Sequence, residues 1–517
     1  MITKGLKEQL KIKEETFKGF IYMTLTQISG VLTHFFIQYL LIILFPPEEF
    51  AYYSFALTFY TFFSLLATFG LGATIVQHLS SLKDENSEEI VKLITEGFKL
   101  VWLLNLIVSL ILFFTSDLFE QIYEMPGLGL ILKYTSLYLF FSTLIRYFSN
   151  TFRGLRNFKY YMFSNVLLNS LQLIIICLNF ILRSPIYLIF AQYSFASFIE
   201  FVIILAIQIK SKNLSSFFIF NRKVTKKLLK FAIFIFPPIL FVFLSTGFNQ
   251  FILAYYIEPV ELAYYIIIIM ALQILSMPVL IFTQLLHPYI SYYMQREGPE
   301  RKNIDLIYNS IIKYGLLIMV PLSLYVSFFS EYLIVSLLSV DYYPVSIYLK
   351  VFVFYINIKI LEVTGNLFLL ASNEQKIIFK LCALNALFCL ILSLILIPIY
   401  YIYGALLAIV IPHSIMIIYS TWLVKKKNNI TLKLRVIFSL FKFIFSSIFS
   451  ISFLFLIILI LNINLYNFVL LVLFSGIYFG VFLTLIILSQ AISIDEIKDF
   501  FKVLKSSVFT RNKSKEI

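Results

Sequence analysis

Charged and polar side chains set inside long apolar runs are the residues of this sequence that could do chemistry. Lys359 and Glu362 stand three positions apart in a largely aliphatic stretch. A charge at the centre of a bilayer costs about 2.5–3.5 kcal/mol even on permissive insertion scales. Two readings are open: a self-compensating ion pair facing the interior of a helical lobe, or a pair kept charged for contact with a substrate. Glu200, Arg146 and Lys313 fall within apolar segments as well. Glu200 is a candidate for ion coupling, whereas Arg146 and Lys313 either contact substrate or snorkel to an aqueous interface.

Neutral polar residues form stripes. Gln27, His34 and Gln38 recur at spacings of seven and four, hence on one face of a helix. Gln273, Ser276, Gln284 and His287 do the same further on, and Gln250 precedes them. Such stripes either hydrogen-bond between helices or line a polar passage. Arg153, Arg156 and Lys159 follow an apolar run closely. They suit an anionic group such as a diphosphate, but basic loops also arise from membrane topology alone.

Nothing else in the chain points to catalysis. There is no GxxxxGK[ST] phosphate loop, so ATP hydrolysis is not expected on this chain. Cys177, Cys382 and Cys389 lie in apolar segments without a CxxC or Cys/His cluster, and read as buried small hydrophobes. Neither a cofactor nor a metal is expected.

The elements that position these residues are membrane helices. The chain is 61% hydrophobic and 13% charged, with mean hydropathy +0.93, against roughly 45–50% apolar residues in soluble domains. "FKFIFSSIFSISFLFLIILIL" and several runs like it reach the roughly 20 apolar residues that cross a hydrocarbon core as a helix. The first run is too long for a signal-peptide core and no small-residue cleavage site follows it, so it reads as a retained helix. The net charge of +14 is spread in short clusters between spans, which suits anionic lipid head groups rather than nucleic acid.

Segmentation predicts an all-α integral membrane protein of fourteen helices, at about 19–45, 50–79, 98–116, 128–150, 161–182, 185–209, 228–256, 261–290, 306–332, 344–372, 377–399, 401–424, 437–461 and 465–490. Alternate connections carry Lys and Arg, as at Lys4 to Lys18, Arg153 to Lys159 and Lys425 to Lys427. The intervening ones carry Glu48 and Glu49, Glu258 and Glu261, and Asp341. The charge rule therefore puts both termini in the cytoplasm. The outer loops are too short for the carboxylate-bearing loops of membrane glycan polymerases.

The chain also repeats itself. At an offset of 212, residues 36–53 and 248–265 share Phe, Gln, Leu and then Pro-x-Glu-x-Ala-Tyr-Tyr. A weaker match at offset 216 relates the segments starting at Asn150 and Asn366. Six spans per repeat give two parallel lobes, of a kind that encloses an alternately opening central cavity. The expected organisation is an N-lobe at 1–210, a C-lobe at 211–430, two added helices at 431–492 and a basic cytoplasmic tail at 493–517. In both motif copies Pro ends one helix, Glu meets the dipole of the next, and the tyrosines are expected at interfacial depth.

"PPEEFAYYSFALTFYTFFSLLATFGLGATIVQHLS" from Pro46, "SNTFRGLRNFKYY" from Ser149 and "NALFCLILSLILIPIYYIYGALLAIVI" from Asn385 resemble landmarks of polysaccharide exporters. With fourteen spans they make the chain similar to Wzx-type flippases, in the superfamily that also contains MATE exporters and the lipid II flippase MurJ. Ala51 and Ala263, where many relatives have Gly, and "YYIYGA" depart from the pattern without affecting the expected fold. The resemblance implies a bacterial cytoplasmic-membrane flippase that moves an undecaprenyl-diphosphate-linked oligosaccharide to the outer leaflet, alongside membrane lipids and other polysaccharide-assembly proteins. It also implies a lipid-tail groove at helices 13 and 14, and a titratable, cation-sensitive acidic residue for coupling on the tenth helix, where Glu362 stands. Alternatives are a lipid II-type flippase, a cation-coupled MATE-type exporter and, less favoured, a glycan polymerase.

Overall fold

The computed structural model describes residues 2–82, 87–211, 221–294, 302–372, 374–428, 430–461 and 466–491; the expected tail at 493–517 lies outside the described residues. Helices account for its regular structure: α1 (Ile2–Leu44), α2 (Pro47–Thr68), α3 (Leu71–Ser81), α4 (Ser87–Tyr123), α5 (Leu128–Gly154), α6 (Phe158–Leu182), α7 (Tyr187–Lys210), α8 (Arg222–Thr246), α9 (Asn249–Leu253), α10 (Pro259–Met294), α11 (Lys302–Leu337), α12 (Tyr343–Phe352), α13 (Tyr355–Ala371), α14 (Gln375–Asn428), α15 (Leu434–Leu461) and α16 (Phe468–Leu488). Twelve helices are long and apolar enough to cross a membrane, and the bent pair Val340–Phe352 and Tyr355–Ala371 makes thirteen. This is a multi-pass membrane protein, and its many exposed Phe, Leu and Ile side chains are what a lipid-facing surface requires.

The expected fourteenth span is contained in α14. Its 54 residues would extend about 80 Å as one rod, far beyond a bilayer. Tyr401 has φ 49° and ψ −120°, outside the helical region, and divides α14 into two arms. A Cβ placed on Gly404 would overlap the Leu396 carbonyl. Residues eight apart in a straight helix lie about 12 Å from one another, so the chain doubles back here and only glycine fits the crossing.

Three other expected helices are interrupted. The span at 50–79 breaks at Phe69 (φ 43°) and Gly70 (φ 71°), between α2 and α3. A side chain at Gly70 would also press on the α8 backbone, at 3.2 Å from the Phe236 nitrogen. The span at 228–256 ends its long helix at Thr246 and resumes as the short α9. The span at 344–372 bends by 54° between α12 and α13, and the Ser327 hydroxyl donates to the Lys350 carbonyl there at 2.7 Å. That bond satisfies an acceptor which the broken helical ladder leaves open.

The chain divides into two compact units, Met1–Phe243 with Ile257–Ala263, and Leu244–Tyr256 with Tyr264–Ile517. In the first, α5 is central and packs on α2, α3, α4, α6 and α7. Its core joins Leu144, Phe148 and Phe152 of α5 to Ile94, Phe98 and Val101 of α4 and to Leu228 and Ala232 of α8. A buried ion pair, Lys99 Nζ to Glu96 Oε1 at 2.6 Å, is completed by the Thr225 hydroxyl, which donates to Glu96 Oε2 at 2.9 Å. In the second unit α11 carries α12, α13, α15 and α16. There the Tyr325 hydroxyl reaches the Leu471 carbonyl at 3.2 Å and the Tyr325 and Tyr478 rings lie 5.1 Å apart.

Both copies of the repeated motif open a helix: Pro47 starts α2 with Glu48 and Glu49 in its first turn, and Pro259 starts α10 with Glu261. Proline without an N–H and carboxylates at a positive helix end suit these positions. The second tyrosine of each copy is buried inside the protein. Tyr53 and Tyr265 are only 2% and 0% exposed, and Tyr53 packs on Phe190 at 5.1 Å with its hydroxyl 3.4 Å from that of Tyr193. Each follows the helix start by six residues, on a face turned into the packing.

Candidate functional site

Among the polar clusters within the spans, one in each unit gathers residues expected to meet substrate. In the first unit, Arg146, Asn150 and Arg153 fall at i, i+4 and i+7 of α5 and share one stripe, opposite the apolar stripe of Leu130 and Leu137. Arg146 and Arg153 are exposed and Asn150 half-buried. The Arg146 guanidinium sits 5.4 Å from the centre of the Tyr60 ring, a cation–π distance. The Tyr60 hydroxyl lies 3.0 Å from Ser142 Oγ, and its ring stacks on Tyr138 at 4.8 Å. Arg146 precedes the end of α5 by eight residues, or about 12 Å. An exposed guanidinium at that depth demands water or an anion rather than hydrocarbon.

Polar side chains of α6 extend this face. Asn165 Nδ2 donates to Ser149 Oγ at 2.7 Å and Gln172 Nε2 to the Tyr138 hydroxyl at 2.6 Å. Gln27 and His34 of α1 are both exposed, whereas Gln38 is 4% exposed and its Oε1 has no partner among the described residues. The first two thus offer a polar surface, and Gln38 turns into the packing. Arg156 is exposed and donates to the Ser80 carbonyl at 3.3 Å, and Lys159 is exposed nearby in sequence.

Glu200 of α7 is fully buried, and neither carboxyl oxygen has a hydrogen-bond partner among the described residues. Ser197 Oγ, one turn earlier, is likewise unpartnered. Leaving a buried polar group unmatched costs about 1–3 kcal/mol. Glu200→Leu, similar in size and without polar atoms, is therefore expected to stabilise the solubilised protein by about 1–2 kcal/mol, measured by thermal unfolding. A fall in transport in that stabilised variant would mark Glu200 as a group kept for function.

In the second unit, Lys359 Nζ lies 2.8 Å from Glu362 Oε2, with the two side chains 23% and 18% exposed. Tyr355, one turn before, places its ring centre 5.8 Å from Lys359 Nζ. The two arms of α14 close the cluster. His413, 2% exposed, lies edge-on to Tyr355 at 5.8 Å. Its Nδ1 is 2.8 Å from the Ile409 carbonyl and its Nε2 is 3.3 Å from Asn385 Nδ2. Sequence reading found the Lys359/Glu362 pair but missed His413, Asn385 and Tyr355. Tyr355 was open to discovery at i−4 from Lys359; the other two depend on the α14 hairpin, which sequence spacing does not reveal.

The remaining expected residues are dispersed. Lys313 of α11 is buried at 8% exposure. Gln250 is half-buried in α9 and Gln273 exposed on α10, while Ser276 donates back to the Gln273 carbonyl at 2.9 Å. The side chains of Gln284 and His287 lie outside the described residues.

An apolar groove of about 460 Å³ runs between α11, α13 and α15, past Leu316, Val320, Ile358, Leu361, Val436 and Leu440. Its volume falls within the range of ligand clefts, about 300–1,000 Å³.

Comparison with known proteins places this arrangement. The profile of the polysaccharide biosynthesis protein family matches residues 16–294. No curated protein sequence matches at a significant level. Among solved structures, the lipid II flippase MurJ in an inward closed conformation has TM-score 0.69 and 18% identity, over 91% of this chain and 98% of that one. A multidrug resistance MATE family transporter of the MOP superfamily, inward-facing, has TM-score 0.60 and 14% identity over 80% of this chain and 98% of that one. At these identities the likeness is one of fold.

Proposed function

The chain belongs to the polysaccharide biosynthesis protein family, and from that membership we propose that it is a flippase for an undecaprenyl-diphosphate-linked oligosaccharide. Cargo passes from the cytoplasmic to the outer leaflet of the bacterial cytoplasmic membrane by alternating access, with both termini cytoplasmic. The carrying observation is the Arg146–Asn150–Arg153 stripe, with both guanidinium groups exposed and the Tyr60 ring beside the first, set inside a membrane span. Guanidinium groups match phosphate oxygens in a bidentate fork, while the amides of Gln27 and Asn150 suit sugar hydroxyls. Residues 1–210 and 211–430 act as the two lobes, with Arg156, Gln250, Gln273, Gln284, His287, Lys313 and Lys359 as further substrate contacts.

The groove between α11, α13 and α15 supports the same reading, because a polyprenyl chain needs apolar shelter beside a polar path for its head group. Leu440→Trp, which fills the groove, is expected to slow glycan export by roughly fivefold, a partial obstruction by one larger side chain, without lowering thermal stability.

Reconstitution of the full chain in proteoliposomes with a fluorescent polyprenyl-diphosphate sugar tests the function. Bilayer crossing faster than in protein-free vesicles, and not for the free sugar, is the expected result. Crossing at the protein-free rate, with efflux of a cationic dye instead, would establish the cation-coupled exporter, the second reading that the buried Glu200 and the half-buried Glu362 support.

A further inference from the structure

The Lys359–Glu362 pair has a neighbour that can change its charge with one hydrogen bond exchanged for another. His413 Nδ1 faces the Ile409 carbonyl, which only accepts, so Nδ1 carries the proton and Nε2 is left as an acceptor toward the Asn385 amide nitrogen. Asn385 Oδ1 is buried and has no partner among the described residues. A half-turn of this amide would bring Oδ1 to Nε2, where it could accept from a protonated ring. The pocket is therefore built to hold the imidazole neutral or charged, and the vacant acceptor is the one that a second proton on the ring would use.

We propose that His413 is a proton-binding site that governs the partner of the Glu362 carboxylate, and through it the availability of the Lys359 ammonium to an anionic substrate group. With a neutral ring, Lys359 and Glu362 cancel and the cluster carries no net charge. A proton taken up from water at Nε2 adds one positive charge beside the pair. Imidazolium and ammonium then compete for one carboxylate, and the cluster as a whole holds one cation in excess. A diphosphate oxygen arriving at Lys359 neutralises that excess, so proton and anion binding favour one another, as reciprocal linkage requires.

Among the described residues, the groups facing His413 from each packed element are Tyr355, Lys359 and Glu362 of α13 and Asn385 of the first arm of α14. Cys382 and Cys389 of that arm feel the charges of Glu362 and Lys359. Glu362 is the only carboxylate in this set, which makes it the one counter-charge that His413 and Lys359 share. The 54° bend between α12 and α13 lies directly before Tyr355. A change in charge pairing here thus acts at the point where the span is already broken.

The inference rests on the reading of the chain as a carrier of an anionic lipid, and the test separates the two. The full chain has four histidines, so nitrogen-15 histidine labelling in lipid nanodiscs gives a spectrum in which H413Q identifies one signal. That signal is expected to pass from the neutral Nδ1–H tautomer to imidazolium between about pH 8 and pH 5. K359Q and E362Q are expected to displace the transition in opposite senses, by about tenfold in proton concentration. Binding of inorganic diphosphate should tighten on acidification in the wild type and lose that dependence in H413Q. This second measurement decides the matter if either charge variant fails to fold. A His413 signal that stays neutral throughout, or diphosphate binding with the same pH dependence in H413Q as in the wild type, overturns the inference. An intact histidine transition with proton-linked diphosphate binding, but no movement of a lipid-linked glycan, supports the site and overturns the carrier reading instead.

Discussion

Replacing Lys359 by methionine lowers the stability of the solubilised protein by about 3 kcal/mol, near the lower end of the range for breaking a buried ion pair. The pair sits within a span at 2.8 Å, with roughly a fifth of each side chain exposed. Methionine keeps the length of the lysine stem but leaves the Glu362 carboxylate facing Tyr355 and the α14 arms without its cation. Partial exposure lets water screen some of that charge, which places the cost toward the low side. The double variant K359M/E362L removes both charges and is expected to recover most of the loss, since an apolar pair of similar volume is often neutral or better. Thermal unfolding measures the stability, and glycan export in the same variants separates two roles. Full export by both K359M and E362L alone would leave the pair no essential part in transport. Stability restored in the double variant without restored export is the outcome that a working charge pair requires.

The sequence announced the spans because apolar length is a cumulative signal that survives single exceptions. Both copies of the repeated motif open a helix, because Pro47 and Pro259 suit the first turn and a glutamate after each meets a positive helix end. Where expectation and structure part, the cause is local backbone geometry. Phe69 adopts a left-handed conformation that nothing in its own side chain favours, and the chain breaks there because α8 crosses closely at Gly70. The 54° bend before Tyr355 has no proline; it persists because Ser327, on another helix, takes the freed Lys350 carbonyl. Such partners come from tertiary contact and have no signature at the bend itself. The site divides in the same way. Lys359 and Glu362 stand out because charges in apolar runs are rare, and Gln27 and His34 because their spacing is helical. Gln38 shares that spacing yet is buried; the three residues point within about 40° of one another, and they differ in position along α1, whose last turns are packed at Ile37, Leu41 and Ile42.

Replacing Arg146 by glutamine is expected to lower glycan export by about 10- to 100-fold, the equivalent of one charge-assisted hydrogen-bonded contact to phosphate at about 1.5–3 kcal/mol. The protein should fold normally, because Arg146 is exposed and the visible interaction that it contributes is with the face of Tyr60 at 5.4 Å. Lysine at this position keeps the charge but loses the planar fork, so R146K should retain an intermediate rate. Tyr60→Phe keeps the aromatic face and removes the hydroxyl that meets Ser142, and its effect should be smaller than that of R146Q. Flipping measured in proteoliposomes with an imposed potential adds a sharper criterion. Moving the anionic diphosphate outward gains about 2.3 kcal/mol per charge for each 100 mV, inside negative, and that drive belongs to the cargo rather than to the protein. R146Q should therefore slow flipping at every potential while leaving its steepness with voltage unchanged. If R146Q and the double variant R146Q/R153Q both export at the wild-type rate, the α5 stripe serves membrane topology alone.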